Sequence, residues 1–310
     1  MRITNAMIAR RTQNYIQENM SRVARTQEKM STGRALLRLS DDPPALSQAL
    51  TVRGNIEMNQ QYMRNITDGL SYLYGADTAL GTAGEVLQKA LEYAIQGANG
   101  TLAPDDMKAI GEQIDKMVDE MVDIANTTVG GKYIFAGTKN SRPPFNRAPG
   151  TDNITYQGDN NRVSREILDQ ASYPIDVPAI TSDPVNPGVF GTVDGNNIVN
   201  GGVFKVLLAL RDNLKAEKVS DVEKSIGEIN DQLDHLLRYR VQVGARTNHF
   251  ESVRDQLSDQ EVRLTQVLSN LEDADIARVS VDLAREQLTY QAALAAGAKI
   301  LQISLLDYLR

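Results

Sequence analysis

The residues that could carry out chemistry in this chain are few and widely spaced. The two histidines, His235 and His249, are fourteen positions apart in a segment with helical periodicity, which would separate them by roughly 21 Å and prevent them from sharing a metal ion. The run Gly130–Gly131–Lys132 lacks the leading glycine and the following hydroxyl of a phosphate-binding loop. The sequence contains no cysteine, so it offers neither thiolates nor disulfides. We therefore predict no catalytic residue, no cofactor and no metal site.

Composition and charge restrict the partners that the chain can bind. Apolar residues make up 41% of the 310 residues, which is ordinary for a folded protein, and the formal net charge is -7. A negative chain has no overall positive field to attract a phosphate backbone or an anionic lipid surface. The sequence has no uncharged apolar run long enough for a membrane span and no apolar signal segment near its N-terminus. We expect no nucleic-acid partner, no membrane insertion and, if the protein is exported, a route without a cleaved signal.

Both ends of the chain have the periodicity of helices that pack against partners. Near the N-terminus, a seam of apolar, small and amide residues, Gln13 and Gln27 among them, recurs at alternating spacings of three and four, as in a coiled coil. The last segment carries an apolar stripe up to its final residues. Such stripes are marginal on an isolated helix, so we predict that neighbouring molecules cover them. The predicted assembly residues are Ile16, Met20, Val23, Met30, Leu283, Tyr290, Leu294, Leu301, Leu305 and Leu306.

Proline and acidic residues mark the points where the terminal helices begin and end. Serine and aspartate side chains accept hydrogen bonds from free N–H groups at the start of a helix, and proline fits the first helical position. Asp41 and Asp42 could pair their carboxylates for catalysis, but capping beside Pro43 accounts for both of them. The residues predicted to form helix caps and junctions are Ser40, Asp41, Asp42, Pro43, Asp273 and Asp275.

The middle of the chain differs from both ends. Seven of the ten prolines lie between Pro143 and Pro187, together with short β-prone runs and turn sequences. We predict a small β-rich insert there. The flanking helices are predicted at 43–74, 77–96, 101–127, 204–214 and 222–271.

These patterns predict a fold class. The fold is expected to be mainly α, with an elongated antiparallel helical bundle or coiled coil formed by both termini and a small β-rich inserted domain.

Four blocks of sequence carry a family resemblance. Residues 29–45, 244–251, 270–275 and 304–310 resemble the flagellin superfamily of bacterial flagella. Within that superfamily, Lys132–Thr138 and Asp41–Pro44 are more similar to the hook-associated proteins of the hook–filament junction than to flagellin. The resemblance implies a structural subunit that is secreted by the flagellar type III route and becomes part of the extracellular flagellum. It also implies three domains: a terminal coiled-coil domain (1–40 with 274–310), a helical rod domain (41–140 with 204–273) and a β-rich outer domain (141–203).

The same resemblance implies a set of protein partners. They are other copies of the chain, a second hook-associated protein on the hook side, flagellin on the filament side, and a cytoplasmic export chaperone on the C-terminal helix. Three other interpretations stay open. Flagellin would polymerise unaided into long filaments, a secreted adhesin would lose binding when 141–203 is deleted, and an enzyme would need a site that the sequence does not contain.

Overall fold

A computed structural model of the chain describes residues 5–38, 40–99, 102–148 and 151–308. Helix is the main secondary structure of these residues, which confirms the predicted fold class. The helices of the described ranges are α1 (Asn5–Thr32), α2 (Pro43–Ala98), α3 (Pro104–Ala125), α4 (Gly202–Lys215), α5 (Val219–Glu272) and α6 (Ile276–Tyr308).

The chain divides into two compact units. The terminal unit contains the described residues up to Asn59 and those from Asp259 onward, and the central unit contains Gln60–Ser258. Helices α2 and α5 contribute residues to both units. The three-part division into 1–40 with 274–310, 41–140 with 204–273, and 141–203 stays a prediction.

Helix α3 shows how local sequence builds the core of the central unit. Pro104 lies at the start of the helix, and Asp105 and Asp106 place negative charge in its first turn, where free N–H groups favour it. Apolar residues then recur every three or four positions and pack towards α4. The buried apolar residues of α3 include Met107, Ile110, Ile114, Met117, Val118 and Met121.

Short strands occupy the part of the chain between α3 and α4. Three pairs are antiparallel: β1 (Thr128–Val129) with β2 (Lys132–Tyr133), β3 (Phe145–Arg147) with β4 (Ile154–Tyr156), and β5 (Ser164–Leu168) with β6 (Ala171–Pro174). A fourth pair, β7 (Ile180–Thr181) with β8 (Gly191–Thr192), is parallel. The strands from β3 to β8 form the small β-rich region that the clustered prolines and turns predict.

An aromatic cluster joins this β-rich region to α4. The ring centroids of Phe135 and Phe190 are 5.0 Å apart, in an edge-on arrangement, and those of Phe145 and Phe204 are 5.6 Å apart. All four side chains are fully buried. Since Phe204 belongs to α4, the β-rich region and the helix share one core.

Helix α2 is longer than the sequence predicts. The predicted interruption between Tyr74 and Asp77 is wrong, because α2 continues through Gly75. A β-carbon on Gly75 would collide with the side chain of Val129 in β1. Gly75 therefore permits a close approach of β1 to the helix and does not mark a helix end.

We expect the substitution Gly75→Ala to destabilise the protein by about 1–3 kcal/mol, because the added methyl group overpacks the contact with Val129. Gly54→Ala in the same helix is the matched control. A β-carbon at Gly54 would meet nothing within 4 Å, so this change should stabilise the helix by up to about 1 kcal/mol. Thermal unfolding of the two full-length variants separates these effects, and shifts in the same direction would contradict the packing role of Gly75.

Candidate assembly surface

Helices α1 and α6 pack side by side in the terminal unit. The Thr26 hydroxyl donates a hydrogen bond to Glu286 Oε2 at 2.7 Å. Further along the pair, a β-carbon on Gly297 would lie 3.1 Å from Ile16 Cδ1 and 3.2 Å from Thr12 Cγ2. Residue numbers thus fall in α1 as they rise in α6, so the pairing is antiparallel. Gly297 is buried and allows the two helices to approach closely.

Among the described side chains, α6 covers one flank of the predicted N-terminal seam and leaves the other exposed. The buried or half-buried residues of this part of α1 include Thr12, Ile16, Asn19, Val23 and Thr26, whereas Gln13, Met20, Gln27 and Met30 are exposed. Met20 has 60% of its surface accessible. The covered seam shares Ile16 and Val23 with the predicted one but is otherwise displaced by one residue. The flank that carries Met20 is therefore available to another helix.

Helix α6 has an exposed apolar stripe that the predicted residues do not include. Val281 and Leu288 are seven residues apart on one side of the helix, and they are 67% and 68% exposed. The predicted residues Leu283 and Tyr290 are half-buried and lie on the same side as Glu286 and Gly297. The spacing of Val281 and Leu288 is visible in the sequence, but periodicity does not tell which of two stripes a helix of the same chain covers.

The paired helices expose apolar side chains along much of their described length. The side chains of Leu301, Leu305 and Leu306 lie outside the described residues, so their predicted role stays a prediction. We call the exposed large apolar residues of α1 and α6 the terminal apolar surface; they are Met7, Tyr15, Met20, Met30, Ile276, Val281, Leu288 and Leu294. A set of this kind on two adjacent helices is typical of a surface that another protein covers.

Aspartate side chains cap the helices that follow the two terminal connections. The N–H of Ala45 donates to Asp42 Oδ1 at 3.1 Å, next to Pro43, the first residue of α2. The N–H of Arg278 donates to Asp275 Oδ1 at 3.2 Å at the start of α6. Each carboxylate thereby satisfies an N–H that has no partner within its helix.

The neighbouring acidic residues hold the connections themselves. Asp41 Oδ2 accepts a hydrogen bond from the N–H of Arg38 at 3.1 Å, which closes the turn that contains Ser40. Asp273 accepts a hydrogen bond from the Ser269 hydroxyl at 2.5 Å, across the last turn of α5. Asp41 and Asp273 therefore stabilise the connections rather than the first turn of a helix.

The residues considered for catalysis have structural contacts. His235 Nε2 lies 3.0 Å from the carbonyl oxygen of Gly188, and the ring of His249 packs on Tyr173 with centroids 4.8 Å apart. Gly130–Gly131 forms the turn between β1 and β2, with φ angles of 59° and 76°. Among the described residues, no group of three or more acidic or histidine side chains could hold a metal ion. No helix in the described ranges is both long and apolar enough to cross a membrane.

A charged cluster holds α3, α4 and the β-rich region together in the central unit. Arg211 in α4 has a side chain that is only 8% exposed, and it donates to Asp115 in α3 at 2.9 Å and to Asp152 at 2.5 and 2.8 Å. Arg147 in β3 donates to Asp115 and to Asp119, each at 2.7 Å. The Arg211 guanidinium joins the carboxylate of Asp115 in α3 to that of Asp152 between β3 and β4, and Arg147 ties β3 to α3.

The arginines of this cluster lower the pKa values of its carboxyls. Hydrogen bonds from Arg211 lower the pKa of Asp152 below its ordinary value, and burial opposes this effect only in part. Burial raises the pKa of Asp115, but hydrogen bonds from Arg147 and Arg211 outweigh burial, so the net shift is downward. The resulting stabilisation is present above the unfolded-state pKa of aspartate, about 3.9, and is lost as the pH falls through the lower folded-state values.

The fold and the terminal apolar surface define a class of protein. The chain is mainly helical, its two ends pair as antiparallel helices, and both of these helices carry exposed apolar side chains. Such a chain is suited to associate with other subunits through its ends. These are the features of a structural subunit of an assembly.

Comparison with known proteins identifies the family. The model of the bacterial flagellin N-terminal helical region matches residues 3–140, and the model of the bacterial flagellin C-terminal helical region matches residues 226–309. The chain belongs to the flagellin family. The resemblance of the terminal sequence blocks to this superfamily is therefore confirmed.

Individual relatives come from both branches of that family. Flagellar hook-associated protein 3 of Escherichia coli (strain K12) is 27% identical over 95% of this chain and 97% of that protein. Flagellin of Bacillus subtilis (strain 168) is 25% identical over 95% of this chain and 94% of that protein. The solved structure of the flagellar junction protein FlgL from Legionella pneumophila has a TM-score of 0.56 and 15% identity, over 73% of this chain and 100% of that chain. The chain is a structural protein of the bacterial flagellum and not an enzyme, as the sequence predicts.

Proposed function

We propose that this chain is the subunit that joins the hook to the filament of the bacterial flagellum. Its identity to hook-associated protein 3, 27%, is higher than its identity to the Bacillus subtilis flagellin, 25%, over the same share of the chain. The terminal apolar surface carries the proposal, because large apolar side chains exposed along two paired helices are stabilised when neighbouring subunits cover them. Flagellin, the filament subunit, is the alternative.

Assembly through the terminal helices assigns two kinds of role to their apolar residues. Ile16 and Val23 form part of the seam that α6 covers within the chain. Met20 on α1, together with Val281 and Leu288 on α6, is left for neighbouring subunits. Full burial of one such side chain contributes about 1.5–3 kcal/mol. Association also costs translational and rotational freedom, so several of these contacts are needed in each interface.

The proposed position in the flagellum determines the partners. They are other copies of the chain, a second hook-associated protein on the hook side and flagellin on the filament side. Before assembly, a cytoplasmic export chaperone covers the C-terminal helix, and the flagellar type III route secretes the chain. The exposed stripe on α6 supports the proposal that a chaperone binds this helix, since an uncovered apolar helix face favours aggregation.

Immunogold electron microscopy tests this proposal and separates it from the alternative. An epitope tag inserted at Gly195, an exposed turn position with no atom within 4 Å of its added β-carbon, leaves the terminal helices untouched. In the bacterium that encodes the chain, we expect one labelled band on each flagellum, between hook and filament. Label along the whole filament would identify the chain as flagellin. Tagged protein that never appears on flagella, although it complements motility, would overturn the junction role.

A further inference from the structure

Two connections of the chain meet in the terminal unit, where α1 ends and α6 begins. One leads from α1 to α2, and the other leads from α5 to α6. The N–H of Ala274 donates to the carbonyl oxygen of Gly33 at 2.8 Å, and the N–H of Ala35 donates to that of Glu272 at 2.7 Å. Gly33 ends α1 in a left-handed conformation, with φ of 70°. Two backbone hydrogen bonds thus tie the connection before α6 to the one that follows α1.

An ion pair between the half-buried Arg53 and a buried carboxylate anchors these hydrogen bonds. Glu272 is 5% exposed although it carries a carboxylate. Its Oε2 accepts a hydrogen bond from Arg53 Nη2 in α2 at 2.5 Å, and its Oε1 is buried without a hydrogen-bond partner among the described residues. Loss of the arginine would leave this charge uncompensated away from water. The position of Glu272, and of the backbone hydrogen bond that it accepts, therefore depends on Arg53.

The heptad spacing of the seam between α1 and α6 does not by itself fix the register of the two helices. The seam positions on both helices recur every seven residues, so a slide of one helix by one heptad, about 10 Å, would again bring seam residues together. The contacts of Thr26 with Glu286 and of Ile16 with Gly297 belong to one of these registers. A fixed contact at one end of the helix pair would exclude the other registers.

We infer that Arg53 and Glu272, with the two backbone hydrogen bonds, form a lock that sets the register in which α1 pairs with α6. Arg53 is a positioning residue, because it acts through Glu272. A set register determines which apolar side chains of the two helices lie side by side on the terminal apolar surface. This register belongs to the pairing of two helices within one chain, whatever position the protein takes in the flagellum.

Disulfide trapping in the full-length chain reports the register, and the native sequence has no cysteine to interfere. The in-register reporter carries Thr12→Cys with Gly297→Cys, because a β-carbon added at Gly297 would lie 3.2 Å from Thr12 Cγ2. The shifted reporter carries Thr12→Cys with Tyr290→Cys, which approach each other only after a slide of one heptad. With Arg53 present, we expect the in-register reporter to close at least about tenfold faster than the shifted one under slow oxidation.

Substitution of Arg53 should remove this preference. In Arg53→Met we expect the two closure rates to come within about threefold of each other, because the buried carboxylate loses its partner. Arg53→Lys retains the charge and should retain most of the preference. Arg38→Met is the matched control in the same connection, since Arg38 pairs with Glu28 at 3.5 Å on the exposed surface. It should keep the full preference.

A second variant covers the case in which Arg53→Met fails to fold. Glu272→Gln keeps the shape of the side chain and removes the charge that Arg53 holds, so it should also reduce the preference. Helical content measured by circular dichroism identifies the variants that remain folded. A tenfold preference that persists in a folded Arg53→Met or Glu272→Gln chain would overturn the lock. Equal closure rates of both reporters in the chain with native Arg53 would overturn it as well.

Discussion

Replacing both Val281 and Leu288 with aspartate is expected to abolish incorporation of the chain into the flagellum while the isolated protein stays folded. Both side chains are about two-thirds exposed, so the substitution removes little contact from the fold. In an assembled state, each new carboxylate would have to leave water for an apolar contact, which costs several kcal/mol. Complementation of a strain that lacks the chain measures the result as loss of motility and absence of the protein from sheared flagella.

The matched control adds the same charge to the same helix. Gln287 and Gln291 are exposed polar residues of α6 outside the terminal apolar surface. The double variant Gln287→Asp/Gln291→Asp should therefore support motility far better than the variant of Val281 and Leu288. Circular dichroism should give the same helical content for both. Equal incorporation of the two double variants would show that the stripe on α6 is not covered in the flagellum.

Local sequence signals were sufficient for most helix boundaries. Pro43 begins α2, where Asp42 caps it, as predicted. Helix α1, however, ends at Thr32, before the Ser40–Pro43 block that was predicted to stop it, because Gly33 adopts a left-handed conformation. Gly75 carries the same local signal as a helix end, and there the prediction fails. The glycine is instead needed for the contact with Val129, which is 54 positions away in sequence. Local propensity predicts where a helix can end, and tertiary packing decides whether it does.

The candidate assembly surface was predictable in kind but not in detail. The seven-residue periodicity of both ends indicates helices with a face to cover, and Met20 lies on such a face. The same periodicity could not separate Leu283 and Tyr290, on the side towards α1, from Val281 and Leu288, on the exposed stripe. That distinction depends on the rotation of one helix against the other, which a single sequence does not encode locally.

Contacts between distant parts of the chain were beyond reach of the sequence. Arg53 and Glu272 are 219 positions apart, and each is an ordinary charged residue within a long helix. The cluster around Arg211 likewise unites residues of α3, α4 and the β-rich region. Charged residues are mostly solvated on helix surfaces, so composition favours that interpretation until a fold brings opposite charges together.

The substitution Arg211→Met is expected to destabilise the central unit at neutral pH. The side chain is nearly buried, and its guanidinium bonds to both Asp115 and Asp152. Loss of one partner from a fully buried pair costs about 3–5 kcal/mol, but Asp152 is 58% exposed and can regain water. We therefore expect a loss of about 2–3 kcal/mol. Urea denaturation of the full-length chain, followed by circular dichroism, measures it.

Arg254→Met is the matched control for the loss of an arginine. Arg254 pairs with the adjacent Asp255 at 3.0 Å, and both side chains are exposed. Exposed pairs contribute little to stability because solvent screens them. This variant should unfold at the same urea concentration as the parent chain. A loss as large as that of Arg211→Met would mean that any arginine substitution weakens the fold, irrespective of burial.

The pH dependence of the Arg211→Met effect separates charge from packing. In the parent chain the pKa values of Asp115 and Asp152 are lowered, so their stabilisation is complete above the ordinary aspartate pKa and disappears as the pH falls through the folded-state values. Without Arg211 these pKa values move back towards the ordinary one, and acidification removes less stability. The difference between parent and variant should therefore shrink between about pH 7 and pH 3. A constant difference over that interval would mean that the aliphatic stem of Arg211, and not its charge, holds α3 and α4 in place.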